Sequence, residues 1–327
     1  MKNLNLFIII MMLVMGLNLT SCSNDENNSS ASKEYSEDLF AIEGATFHEG
    51  ELPEATTTDE IEGVSFNNRA LSGGMNFIVI NSEKAYQKFY IGTDDSDGYW
   101  EYIPSQSRSN TTNLYSIPIM YGTNYNKDIT MVLIGVDEEG NVTVQYQFDV
   151  TFVDSESGDI NINLTFSTPK DVDLHLYTPS GEHIYYGNRG GNVTIEGETI
   201  AYGLDHDSNA ACDLDYLNNE NIYIPEEFVE NGEYRVVVDL WENCTREYAT
   251  SWAVITRYKG NILNNELSGW TNPATGTYAA DAPSGDMTHV MTFTISDAKE
   301  ARSTKSYKIT PRELSDAEKA KIEFALD

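Results

Sequence analysis

Residues 204–215 read LDHDSNAACDLD, and oxygen donors recur there at alternate positions: Asp205, Asp207 and Asn209, with Asp213 and Asp215 beyond. Calcium takes about six to eight oxygen ligands, and alternate spacing is how a loop wraps them round one ion. A second acidic set comes earlier, in Asp171-Val172-Asp173-Leu174-His175-Leu176. In a strand, Val172, Leu174 and Leu176 would face a core. Asp171, Asp173 and His175 would then form a row on the other face, about 6–7 Å apart. Carboxylates that close are solvated, paired with a cation, or shifted in pKa. Asp171, Asp173, Asp205, Asp207 and Asn209 are therefore the donors of a candidate calcium cage. A solvated row and an acidic turn pinned by a disulfide are the alternatives. An EF-hand is excluded, because its glycine and its bidentate glutamate positions hold Ala210 and Tyr216.

Other chemistries find less support. His175, His183 and His206 show no HExxH and no close His-x-His spacing, which argues against zinc. Glu182-His183 near Ser180 is no recognisable triad, and neither G-x-S-x-G nor a phosphate-binding glycine loop occurs. Glycoside hydrolysis needs two carboxylates at a set separation, but with 52 Asp and Glu nothing selects a pair. The expectation is a non-enzyme. Trp270 and Tyr278, in the long stretch 265–286, are candidate ligand contacts, with a plain surface loop as the alternative. The aromatic cluster at 97–104, DGYWEYIP, reads as core or turn rather than as a sugar-stacking platform.

The elements that must position these residues are strands. From 61 to 154, short runs of β-formers alternate with turn residues at roughly ten-residue spacing, the mark of an antiparallel sandwich. After the polar break 153–159, strand-like runs continue (INLTFS, VDLHLY, EYRVVVDL, SWAVITRY and HVMTFTIS) with no long helical period between them. The fold class is all-β: two antiparallel β-sandwich domains in tandem, at 61–154 and 155–297. A tail at 298–327 follows, where Ser315 and Glu318 form a capping box before a short C-terminal helix.

The chain starts with one lysine, an apolar run and small residues before Cys22, which marks residues 1–21 as a signal peptide. Residues 22–60, rich in Ser, Asn, Glu and Thr, read as a disordered tether. Cys212 and Cys244 then form an even pair in an exported chain. They are expected to be bonded, closing a loop worth on the order of 3 kcal/mol. The net charge of −32 repels phosphates, so nucleic acid is excluded as a partner.

Four resemblances add to this reading. Leu19-Thr20-Ser21-Cys22 resembles the bacterial lipoprotein box, which implies acylation of Cys22 and a membrane anchor. Ser23-Asn24-Asp25-Glu26 resembles the acidic signals that send some Bacteroidetes lipoproteins to the outer face of the outer membrane; a periplasm-facing location is the alternative. VDEEGNVTVQYQFDV at 136–150 resembles the last hairpin of bacterial immunoglobulin-like modules, which implies a spacer. DVDLHL, PSGEHIYYGN, DHDSNAAC and NNENIYIP resemble the YfaP-like domain, an exported jelly-roll-like β-sandwich family of unknown function. That family is distantly similar to the calcium-associated pre-peptidase C-terminal sandwiches. The whole implies a surface binding or adhesion module for a glycan or a protein, with a calcium-ordered loop. A structural or accessory subunit of an envelope complex is the alternative, and an extracellular hydrolase the least favoured.

Overall fold

Strands rich in β-branched and aromatic residues build four sheets, which stack in pairs as two sandwiches. This computed structural model describes residues 35–104, 107–108, 113–298 and 309–326, all within one compact unit. The signal peptide and the lipidation residue Cys22 lie outside the described residues.

In the first sandwich one sheet runs in the order Phe40–Ala41, Asn113–Tyr121, Met75–Ser82, Val64–Phe66, with Ser107–Arg108 also paired to Asn113–Tyr121. The other runs Thr46–His48, Tyr99–Tyr102, Tyr86–Thr93, Ile129–Asp137, Tyr146–Val153, Arg69–Leu71. Its last pair is parallel. Ile78, Ile80, Phe89, Ile91, Ile117 and Leu133 fill the space between the two sheets.

The tether read over residues 22–60 is overturned for its described part, residues 35–60. Phe40 and Ala41 pair with Tyr121 and Met120, Thr46–His48 pairs with Tyr99–Glu101, and Leu39, Phe40 and Ile42 are buried in the core. A polar average over forty residues conceals three apolar ones that suffice to dock the segment. Trp100 closes that end of the core, its indole N–H donating to the Phe40 carbonyl and its ring edge-on to Phe47.

At the turn after Ile129–Asp137, both Asp137 oxygens are engaged. Oδ1 accepts the Glu139 and Asn141 amides at 3.1 and 2.8 Å; Oδ2 accepts the Asn141 side chain at 3.0 Å and meets Lys84 Nζ at 3.1 Å. The Asn141 side chain, its amide and Lys84 together hold the carboxyl down at about 2. A depressed acid contributes stability above its unfolded range and loses it as pH falls toward the folded value. Asp137→Ala should therefore lower the thermal midpoint at pH 7, with the gap to the wild type closing between pH 4 and 2. A gap unchanged across that window in a pH series of melts would refute the assignment.

The second sandwich sets a wide sheet against a narrow one. The wide sheet runs Asn261–Ile262, Thr250–Tyr258, Ile160–Phe166, Asn219–Ile224, Glu198–His206, Gly190–Ile195, Thr310–Pro311, with Ala274–Tyr278 also on Thr250–Tyr258. The narrow sheet runs His183–Ile184, Asp171–Tyr177, Gly232–Glu242, Asp286–Ile295. Val172, Leu174 and Leu176 face the shared core with Val236, Val238, Leu240 and Phe293, as the alternation predicts. The sandwiches meet through a small apolar seam of Met75, Phe77, Ala253 and Ile255, beside a Thr165–Asn76 hydrogen bond of 2.9 Å. Gly190 and Gly203 sit opposite each other in the wide sheet, both at positive φ. A Cβ on Gly203 would lie 1.9 Å from the Arg189 carbonyl, so only glycine lets this backbone approach. Arg189 is thereby placed to reach the Leu204 and Asp205 carbonyls and Glu318 of the helix Asp316–Leu326.

Candidate functional site

The outer face of a narrow sheet would ordinarily meet water, yet Asp171, Asp173 and His175 are 0 %, 1 % and 3 % exposed. Three things cover them. The helix Asp316–Leu326 docks against the short turn Ala210–Cys212, and the disulfide Cys212–Cys244, Cα atoms 5.6 Å apart, ties that turn to the end of the Gly232–Glu242 strand. The amide of Ala211 donates to Asp171 Oδ2 at 2.8 Å.

At the centre stands Lys321, fully buried. Its Nζ lies 2.6 Å from Asp173 Oδ1, 2.9 Å from Asp171 Oδ1 and 3.2 Å from Asp207 Oδ1. The rings of Tyr186 and Trp241 lie 4.3 and 5.2 Å from the ammonium, close enough for cation–π attraction. Glu220, also buried, accepts the amides of Leu174 at 2.7 Å and Ser208 at 3.3 Å.

One ammonium faces several acids, so the protons redistribute. Burial, then the neighbouring Asp173, pushes Asp171 up to about 9. Burial likewise raises Asp207 to about 6 and Asp239 to about 7, and lifts Glu220 well above the carboxylate range. For Lys321 burial works against the charge, but Asp173, Asp207, Asp171 and Glu220 outweigh it and hold the ammonium protonated. Burial thus biases Asp171 and Glu220 toward their neutral forms while Lys321 opposes it, and the cluster titrates as a coupled set around one cation.

The sequence-predicted cage is thus only partly assembled. Asp171, Asp173 and Asp207 converge, and the cation they hold is Lys321. Asp205 is elsewhere: its Oδ2 accepts the Glu156 amide at 2.8 Å and its Oδ1 is 3.7 Å from Arg312. Asn209 is a latch inside the loop. It donates to the Lys170 carbonyl and to Asn218 Oδ1, both at 2.9 Å, and accepts the Tyr216 amide. Positive φ at Asn209, Ala211 and Cys212 turns alternate residues apart instead of toward one point. A resident calcium does not fit this donor set, since an ammonium fills the place between the three carboxylates and the remaining two predicted donors point elsewhere.

Of the two ligand-contact candidates, Tyr278 is corrected. Tyr278 is buried, its hydroxyl donating to the carbonyl of Asp286 at 3.1 Å, with that of Val238 at 3.4 Å. Trp270 packs half-buried on Trp252, with ring centroids 6.0 Å apart. The stretch 265–286 contains the strand Ala274–Tyr278, whose inward alternation puts Tyr278 into the core.

Residues that the sequence reading passed over complete the site: Lys321, Glu220, Asp239, Tyr186 and Trp241. Asp239 and Trp241 were visible in the alternation of VVVDLW, which puts them opposite Val238 and Leu240. Nothing local marks Lys321 as the partner of acids so far upstream.

Beyond His175 the same face changes character. His175 Nδ1 meets His183 Nε2 at 2.9 Å. The His183 ring is sandwiched between Tyr177 at 4.2 Å and Tyr185 at 4.0 Å, almost parallel to each. The Arg235 guanidinium lies 5.0 Å over Tyr177, ending the ladder in a cation. Burial lowers both imidazoles, His183 to about 4, which favours the uncharged ring in the stack.

Fold and site together define an all-β tandem-sandwich protein with a sealed lysine–carboxylate cluster beside a ladder of stacked rings. No protein-family model matches the chain, and no curated relative matches it. Among solved structures, the C-terminal domain of the Streptococcus agalactiae AgI/II polypeptide BspA aligns with 67% of this chain and 97% of its own, at 9% identity and a TM-score of 0.19. A likeness of that size carries no argument about function.

Proposed function

We propose that the chain is an exported, lipid-anchored envelope protein, displayed at the cell surface, whose second sandwich binds a glycan or a protein without catalysing a reaction. The observation that carries this reading is the ladder Arg235–Tyr177–His183–Tyr185: parallel, half-buried rings at the rim of the narrow sheet. Such a ladder offers a flat amphipathic strip on which a sugar ring or a partner's aromatic or arginine side chain can continue the stack. The first sandwich serves as its base, joined by the apolar seam.

Against catalysis stands the sealing of the acids. A hydrolytic carboxylate must touch substrate, whereas Asp171, Asp173 and Glu220 are covered and Asp207 is spent on Lys321. The anchor rests on the lipoprotein box at Cys22.

Glycan-array and envelope pull-down experiments on the full chain test the binding reading. Tyr185→Ala should weaken a captured ligand about tenfold, the scale of one stacking contact. Capture unaffected by Tyr185→Ala and Tyr177→Ala would reject the ladder; stable co-purification with envelope proteins in those variants would favour the accessory-subunit reading. Incorporation of a labelled fatty acid, lost in Cys22→Ala, tests the anchor.

A further inference from the structure

Asp173 and Asp239 lie directly opposite each other on neighbouring strands, with His175 two residues along on the same face. Like charges so placed repel and call for a counter-charge. Lys321 supplies it to one oxygen of Asp173, and no ion pair to Asp239 is formed among the described residues. Three buried atoms are left with no hydrogen-bond partner: Asp173 Oδ2, His175 Nε2 and Asp239 Oδ1. Their residues are 1 %, 3 % and 7 % exposed, so bulk solvent does not reach them. Buried polar atoms are ordinarily paired, and three orphans on adjoining residues ask for one common explanation.

We propose that Asp173, His175 and Asp239 form a binding site for a divalent transition-metal ion of the zinc type. One donor atom of each residue lies within 4.8 Å of one donor atom of the others. Ligand atoms on a zinc ion at about 2.0–2.2 Å are separated by roughly 3.3–3.6 Å, so small side-chain adjustments close the triangle. One imidazole and two carboxylates suit zinc, manganese or iron(II) better than calcium, which prefers an all-oxygen shell. The supporting shell is in place. His183 Nε2 engages His175 Nδ1 at 2.9 Å, which leaves His175 Nε2 free to carry its lone pair toward the ion. The stacking of His183 between Tyr177 and Tyr185 fixes that partner in turn. Asp173 becomes a bridge, one oxygen on the Lys321 ammonium and the other on the metal. The site shares only Asp173 with the calcium cage expected from Asp171, Asp173, Asp205, Asp207 and Asn209, and it stands whether or not the ring ladder binds a ligand.

The test uses the full chain without a histidine tag, purified in detergent, stripped with chelator and dialysed against zinc, with calcium in parallel. One equivalent of zinc should be retained and calcium should not. Cobalt(II) in place of zinc should give visible absorption bands typical of a low-coordinate site. His175→Gln should weaken zinc binding at least a hundredfold, and His183→Phe, which keeps the stack but removes the partner nitrogen, about ten- to a hundredfold. His206→Ala, outside the triad, should leave stoichiometry unchanged. The cooperative melt of each variant in chelator shows that it is folded. Zinc absent from the wild type, or retained undiminished by a folded His175→Gln, would overturn the proposal.

Discussion

Lys321→Met should lower the stability of the folded body by about 3–5 kcal/mol, the cost of removing one partner from a buried ion pair. Methionine keeps most of the side-chain volume and its contact with Tyr186 and Trp241, so what is lost is charge. The three carboxyl oxygens that lie within 3.2 Å of its Nζ would face one another with no cation between them. Part of the deficit can be relieved by taking up protons, which gives the effect a pH signature. Asp171 and Asp207 already have folded-state values raised to about 9 and about 6. A raised acid binds more protons folded than unfolded, so its contribution to stability falls as pH climbs from about 4 toward the folded value. The penalty in Lys321→Met should accordingly be smallest near pH 5 and largest near pH 9. Adding Asp207→Asn should recover part of it. Urea titrations at the two pH values decide the matter: a deficit under about 1 kcal/mol at both would mean that the ammonium is not what balances the cluster.

Replacing Cys212 and Cys244 together by serine should cost about 3–4 kcal/mol on the chain-entropy model, given their separation of 32 residues. The loss should also be local. Cys212 follows directly on Ala211, whose amide holds Asp171, so releasing the bridge loosens one wall of the cluster. Amide exchange in the 207–216 loop should accelerate more than in the Ile160–Phe166 strand at the centre of the wide sheet. A midpoint within a degree of the wild type, with unchanged exchange in the loop, would show that the docked helix alone keeps the loop in place.

What the sequence made legible follows from the range of each signal. Alternation is local, so the inward set Val172, Leu174 and Leu176 was readable, as was the all-β tandem architecture. The pair Cys212–Cys244 followed from an even count. Alternation says nothing of what lies on the outward side, and the outward row of Asp171, Asp173 and His175 turned out to be buried by elements far along the chain. The capping box at Ser315 and Glu318 located the helix, but no local signal said which of its faces would dock. The calcium reading came from donor spacing, from the alternation at Asp171 and Asp173, and from a distant resemblance. Asp205 stands apart because it is still in the strand Glu198–His206, and Asn209 because left-handed residues around it break the regular wrap that spacing assumes. Tyr278 was misplaced because a strand hid inside a stretch read as loop.

The distance along the chain between the acids and their cation sets an order of events. Asp171 precedes Lys321 by 150 residues and Asp207 precedes it by 114. At ~5–20 residues per second of synthesis, the acids wait roughly 6–30 seconds for the lysine to be made. During that wait the second sandwich can gather its apolar layers but cannot close over the narrow sheet without burying uncompensated carboxylates. In a chain that must be threaded through a membrane before it folds, as the proposed export requires, such a delay is useful. The ammonium is thus the last member of the cluster to be made, and the acids gain their counter-charge only once the C-terminal helix exists.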